Sequence, residues 1–343
     1  MAASSIAIDL GTSTITVYML GKGIVYKQAN VVAIDRLSGQ VISIGDEAAK
    51  MLEKAPETLE IIAPMRSGAV SRFDIMSMMI EKIVGDVCKN SILRPNLIIS
   101  TPVGITAPDK RTVALLGSCA CAAKVSVISS TVAGALGCSI DIQNPQGNMI
   151  VDIGAGTTDI AVITMGTPAK FCSIKTAGDE MDEAIIQHIK KNRGYDIGNK
   201  TAEKIKKTVG RATLPNEEIE MSVAGKDHTT GIPLLFSVTS TEIYEALKDC
   251  VDSIASAISG VFEDTSPELC ADIYSNGIIL AGGGAKLFGL NEALGEKLKI
   301  PVKLMADSEN CAAKGGGYAF KFFKELPDNS LSFRIREQID PAM

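Results

Sequence analysis

Asp9 and Asp152 are the residues around which chemistry could be organised. Each ends an apolar run, Ile6-Ala7-Ile8-Asp9 in one case and Met149-Ile150-Val151-Asp152 in the other. Each is followed by a turn rich in glycine and hydroxyls, Gly11-Thr12-Ser13-Thr14 and Gly154-Ala155-Gly156-Thr157-Thr158. Glycine permits backbone angles that let successive N–H groups converge on an anion, and the Thr and Ser hydroxyls add donors. A carboxylate at the strand end beside such a turn is placed for a cation. A single Asp-x-Gly reads as an ordinary β-turn. Two matched copies read as duplicated halves, whose facing turns would enclose a polyphosphate while Asp9 and Asp152 each offer a carboxylate to one metal. A third element, the strand Gly277-Ile278-Ile279-Leu280-Ala281 running into Gly282-Gly283-Gly284, lets something flat lie against backbone.

The elements that must position these groups follow from periodicity. Short β patterns around the first turn and at 25–26, 31–34 and 41–44 precede any long helix, which predicts an opening sheet of mixed direction. Strands at 97–102 and 125–128 then alternate with helices at 75–88 and 109–123, an α/β pattern. On the helix at 75–88 the spacing predicts an apolar face of Met78, Met79, Ile83 and Val84. Ile92 and Leu93 fall in the loop beyond it, where packing is the default reading and membrane contact the sharper one. A helix at 201–212 places Glu203, Lys206 and Lys207 on one face, which is either ordinary surface or a clamp for a nucleoside. A hairpin through 219–238, a capped helix at 243–261 and a closing helix at 311–324 complete the order.

Composition removes several function classes. At 343 residues the chain is long enough for two domains. Its net charge of −6 gives no general attraction to nucleic acid, and with 4% aromatics and no Trp there is no base-stacking platform. No apolar run reaches the roughly 20 residues of a membrane-spanning helix, and the first residues lack the basic start of a signal peptide, so the expected location is the cytoplasm. The eight cysteines read as buried, reduced thiols, and Cys119-Ala120-Cys121 is a poor metal site without a second pair. His188 and His228 stand alone and read as surface or helical residues.

On these motifs the chain resembles the actin and heat-shock chaperone ATPase superfamily, and within it the bacterial MreB-type actin homologues, over residues 5 to 325. The resemblance rests on Ile8-Asp9-Leu10-Gly11-Thr12, Val31-Val32-Ala33-Ile34-Asp35, Pro102-Val103-Gly104-Ile105-Thr106, Met149-Ile150-Val151-Asp152-Ile153-Gly154, Ala177-Gly178-Asp179-Glu180-Met181-Asp182, Thr201-Ala202-Glu203 and Ala281-Gly282-Gly283-Gly284-Ala285. It implies an α/β fold of two ribonuclease-H-like, actin-like ATPase domains with ATP and Mg²⁺ in the cleft between them. Residues 1–142 with a returning helix 311–325 would form the first domain. Residues 143–310, with a nested subdomain at about 179–243, would form the second, and 327–343 would be an extension.

Carried over by position, Asp9 and Asp152 would organise the metal through water. Gly11, Thr12, Ser13 and Thr14 would receive the phosphates from one side, and Gly154, Gly156, Thr157 and Thr158 from the other. Gly282, Gly283 and Gly284 would back the adenosine, with Glu203, Lys206 and Lys207 flanking base and ribose. The resemblance also implies self-association into double filaments, attachment to the inner face of the cell membrane through Ile92 and Leu93, and guidance of wall-synthesis membrane proteins that sets rod shape. A chaperone-like or reactivating ATPase and a small-molecule kinase are the alternatives on this fold. Three departures stand out. Ile128-Ser129-Ser130-Thr131 replaces the family's Ile-Glu-Glu-Pro, so the carboxylate that positions attacking water is absent and Ser130 and Thr157 are left as catalytic candidates. Arg72 stands where the family has Asp, and the tail is longer than usual.

Overall fold

The computed structural model of the chain describes residues 3–52, 54–89, 91–322 and 331–335. Two sheets repeat one plan. In the first, the antiparallel pair Ser5–Leu10 and Thr14–Met19 is flanked on one side by antiparallel Gly23–Ala29 and on the other by parallel Asn96–Thr101 and Lys124–Ser129. In the second, the pair Asn148–Ile153 and Thr158–Thr164 is flanked by antiparallel Thr167–Ile174 and by parallel Ile278–Ala281 and Val302–Leu304. The duplication expected from two Asp-Gly turns is therefore present at the level of topology. Central strands are covered on both faces, which is why Ile6, Ala7 and Ile8, and again Met149, Ile150 and Val151, are buried in succession rather than alternately.

Two helices lie between the sheets. Ser130–Gly137 and Cys311–Phe322 share a core with Ala7, Ile98 and Ile128 of the first sheet and Ile150, Ala161 and Ile163 of the second. The chain leaves the first sheet after Ser130–Gly137 and returns through Cys311–Phe322. Small residues let the two helices cross closely: a Cβ on Gly315 would overlap the Ala133 carbonyl oxygen.

Smaller elements differ from expectation in detail. In the helix Phe73–Val87 the inward residues are Ile75, Met76, Met79, Ile80, Ile83 and Val84, whereas Met78 is 43% exposed. The face is rotated because Met76, Met79, Ile80 and Ile83 follow the helical period as a stripe, and Met78 lies off it. Arg72, just ahead of this helix, makes a bidentate pair with exposed Asp74 at 2.9 and 3.1 Å. The helix Ser240–Glu263 is capped as predicted, with the Thr239 hydroxyl accepting from the Glu242 N–H. Within the extension, Leu331–Ile335 adds a sixth strand to the first sheet, antiparallel to Lys124–Ser129. The rest of 327–343 lies outside the described residues.

Candidate nucleotide cleft

The two turns are built alike. The Gly11 N–H donates to the Thr14 carbonyl at 3.1 Å, and the Gly154 N–H donates to the Thr157 carbonyl at 2.9 Å. They face one another across a cleft of about 1660 Å³. Where they meet, a Cβ on Gly156 would stand 2.4 Å from Thr12 Oγ1. Gly156 is thus required by the approach of the two halves. Neither it nor Gly11 nor Gly154 has a positive φ, so backbone freedom is not the reason these glycines are present. Asn30, fully buried, braces the first turn by donating from Nδ2 to the Gly11 carbonyl at 2.9 Å. The Gly68 N–H donates to Thr12 Oγ1 at 3.0 Å.

Asp9, Gly11, Thr12, Ser13, Thr14, Ser130, Asp152, Gly154, Gly156, Thr157, Glu203, Lys206, Lys207, Gly282, Gly283 and Gly284 all line this cleft. Thr158 does not. It is fully buried and its hydroxyl donates to the Thr176 carbonyl at 2.7 Å, which corrects the expectation that it faces the phosphates. Strand alternation explains the change: Thr158 and Asp159 point to opposite faces, and Asp159 takes the cleft side. Among the three glycines the roles also divide. Gly282 has φ of 85° and a Cβ there would collide with the Ile153 carbonyl, whereas Gly283 has open space where a Cβ would be.

On the far wall, Lys206 donates from Nζ to the Gly178 carbonyl at 2.6 Å and to Asp182 Oδ2 at 2.8 Å. Lys207 pairs with Glu203 at 2.6 Å, one helical turn away. Lys206 therefore ties the helix Asn199–Val209 to the start of Gly178–Arg193, leaving Glu203 and Lys207 as the more exposed pair. Asp182 Oδ1 is buried without a partner.

The carboxylates share a strained electrostatic setting. Burial pushes Asp9 up, opposed by the Ser100 hydroxyl, which donates to its Oδ1 at 2.5 Å, and by the charge of Lys27. Burial pushes Asp152 well above the usual carboxylate range, and the charges of Asp159 and Asp9 add to it. Asp9 and Asp152 line the same cleft and offer the hard oxygen donors that suit a divalent cation such as Mg²⁺ held through water. Asp159 is the residue sequence reasoning passed over. It pairs directly with Asp152 across the hairpin, where the first hairpin pairs Asp9 with Thr16. The duplicated register is the signal that could have found it.

With the geometry in place, comparison with known proteins is decisive. The MreB/Mbl protein family model matches residues 3–328. The chain belongs to the MreB/Mbl family. Among its relatives, the cell shape-determining protein Mbl of Bacillus cereus is 38% identical over 332 residues, covering 96% of this chain and all of that protein. The cell shape-determining protein MreB of Escherichia coli K12 is 36% identical over 327 residues, with 94% of each chain covered. The crystal structure of MreB5 of Spiroplasma citri bound to ADP superposes with a TM-score of 0.89 at 29% identity, covering 94% of this chain and 98% of that one. The same protein bound to AMPPNP gives a TM-score of 0.88 at 28% identity, covering 95% and 98%. The two-domain, actin-like α/β arrangement expected from the motifs is therefore the family's fold.

Proposed function

We propose that this chain is an ATP-binding, actin-like shape-determining protein that assembles into filaments at the inner face of the cell membrane. The observation that carries the reading is the pair of matched turns, Gly11–Thr14 and Gly154–Thr157, closed by the same backbone bond and facing each other across one cleft. Oriented N–H groups and hydroxyls on both sides suit a polyphosphate. MreB5, which shares the fold, carries ADP or AMPPNP in its crystals.

In this reading the turns hold the phosphates, and Asp9 and Asp152 hold Mg²⁺ through its water shell. The metal would supply charge neutralisation at the terminal phosphates. Gly283 gives the adenosine a flat wall beside Gly282 and Gly284, and Glu203 with Lys207 flanks the ribose and base. Lys206 braces that wall. Domain one spans residues 1–142 with the returning helix, and domain two spans 143–310. The chain crossings through Ser130–Gly137 and Cys311–Phe322 act as the hinge on which nucleotide closes the cleft. With Ser130 in place of a carboxylate, hydrolysis is slow and ATP serves chiefly as the ligand that favours assembly into a double filament. Exposed Ile92 and Leu93 meet the bilayer, and filaments so attached guide wall-synthesis membrane proteins.

Calorimetry and electron microscopy test this together. Wild type is expected to bind ADP with Mg²⁺ and to form filaments with ATP, while Asp152→Ala loses most of its nucleotide affinity. Equal affinity in the variant would remove the cleft assignment. Phosphorylation of a small metabolite without filaments would favour the kinase alternative.

A further inference from the structure

Asp159 accepts more hydrogen bonds than its position in a strand requires. It is 3% exposed. Its Oδ1 accepts from the Ser173 hydroxyl at 2.5 Å, and its Oδ2 accepts from both Ser130 Oγ at 3.2 Å and Thr157 Oγ1 at 3.3 Å. A carboxylate directly opposite a second one across a hairpin is destabilising. The first hairpin avoids that arrangement by placing Thr16 opposite Asp9. Packing alone therefore gives no reason for an acid here.

We propose that Asp159 is a positioning residue that acts through Ser130 and Thr157 to orient the attacking water at the terminal phosphate of a bound nucleoside triphosphate. This rests on the nucleotide reading above. An ionised carboxylate only accepts, so the hydroxyl hydrogens of Ser130 and Thr157 turn toward Oδ2. Their oxygens are left as acceptors on the cleft wall, which both residues line. A serine with a free hydroxyl would rotate and donate to a phosphate oxygen. Ser130 Oγ donates to Asp159 Oδ2, so its hydrogen is committed to that carboxylate.

Two acceptors fixed on one wall can take both hydrogens of a single water, leaving its lone pair for phosphorus. In the step, the water oxygen bonds to the γ-phosphorus and the bond to the bridging oxygen breaks. The electron pair of that bond leaves on the nucleoside diphosphate. One water proton stays on the hydrogen phosphate. The other is lost to solvent as phosphate leaves, while the Ser130 and Thr157 hydroxyl hydrogens stay turned toward Asp159. The arrangement replaces the missing carboxylate with one that is reached indirectly, so the expected turnover is slow but not absent.

The test compares wild type with Asp159→Asn, Ser130→Ala and the double variant. ADP and AMPPNP affinities are measured by calorimetry with Mg²⁺, and phosphate release is measured in a single turnover of ATP. Each single variant is expected to keep nucleotide affinity within about threefold while phosphate release falls about 10- to 100-fold, at or below the usual range for general-base groups. The double variant is expected to match the slower single variant, because the residues act as one unit. Thermal melts identify a variant that fails to fold. If Asp159→Asn is that variant, Ser130→Ala alone decides, since it removes one hydroxyl from a small side chain. Wild type that binds no nucleotide defeats the nucleotide reading itself. Intact binding with wild-type release in both single variants, or losses that multiply in the double variant, overturns the role of Asp159 alone.

Discussion

The sulfurs of Cys138 and Cys311 lie 3.4 Å apart although 173 residues separate them in the chain. Cys138 follows the helix Ser130–Gly137 and Cys311 begins Cys311–Phe322. The pair therefore sits where the chain leaves the first sheet and where it returns. The Cys138 thiol donates to Cys311, which holds Cys311 below the usual thiol range, opposed by burial, and raises Cys138.

Closing that gap to a disulfide needs an approach of somewhat more than 1 Å, since a bonded pair stands about 2.05 Å apart. Diamide, which takes two electrons and two protons from a dithiol, is expected to join Cys138 to Cys311 within one chain. Non-reducing peptide mapping would show the linked pair, absent in Cys138→Ser. Exposed Cys119 and Cys121 provide the comparison. If they oxidise first and the hinge pair stays reduced, the two thiols are too confined to react.

Much of the fold is legible because the two Asp-Gly turns and the apolar runs around them are local. Asp9, Gly11, Asp152 and Gly154 stand within a few residues of the features that give them meaning. What escaped was set by register or by distance. Asp159 looks like the polar member of an alternating strand until its pairing with Asp152 is known. Cysteines among small or apolar neighbours read as buried and scattered, yet Cys119 and Cys121 are exposed and Cys138 meets Cys311 where the chain leaves and re-enters the first sheet. Gly156 lines the cleft, and the reason for a glycine there is the closeness of Thr12 in the other half rather than backbone freedom. Thr158 faces the interior because side chains alternate along the strand, which a count of hydroxyls does not register.

Ile92 is 86% exposed and Leu93 46% exposed in the loop beyond Phe73–Val87, and among the described residues no helix is long and apolar enough to cross a membrane. Burying both side chains would contribute at most about 3–6 kcal/mol per subunit, so stable attachment requires many subunits acting together. Filaments formed with ATP are expected to sediment with anionic liposomes, whereas unassembled protein stays in the supernatant. The Ile92→Ser, Leu93→Ser double variant should assemble but lose sedimentation. Equal pelleting of the variant would exclude this loop as the anchor.

Asp182 gives a pH dependence that reports on the wall of the cleft braced by Lys206. Burial pushes its carboxyl up to about 6, against the opposing charge and hydrogen bond of Lys206. Because the folded value lies above the ordinary 3.8, the fold binds a proton here that the unfolded chain releases. The associated stability is complete below about pH 4 and is lost as pH rises through about 6. Asp182→Asn keeps an oxygen for Lys206 but cannot ionise, so its melting temperature should vary less than wild type between pH 4 and 7. At pH 7 it should be more stable by roughly 1–3 kcal/mol, given about 1.4 kcal/mol per pKa unit. Asp179, raised by the same burial, leaves a smaller residual slope. If ADP binds beside this wall as proposed, a donor brought to Asp182 would favour the charged form and narrow the difference. A variant that keeps the full wild-type slope, with or without ADP, would show that Asp182 is already ionised throughout that range.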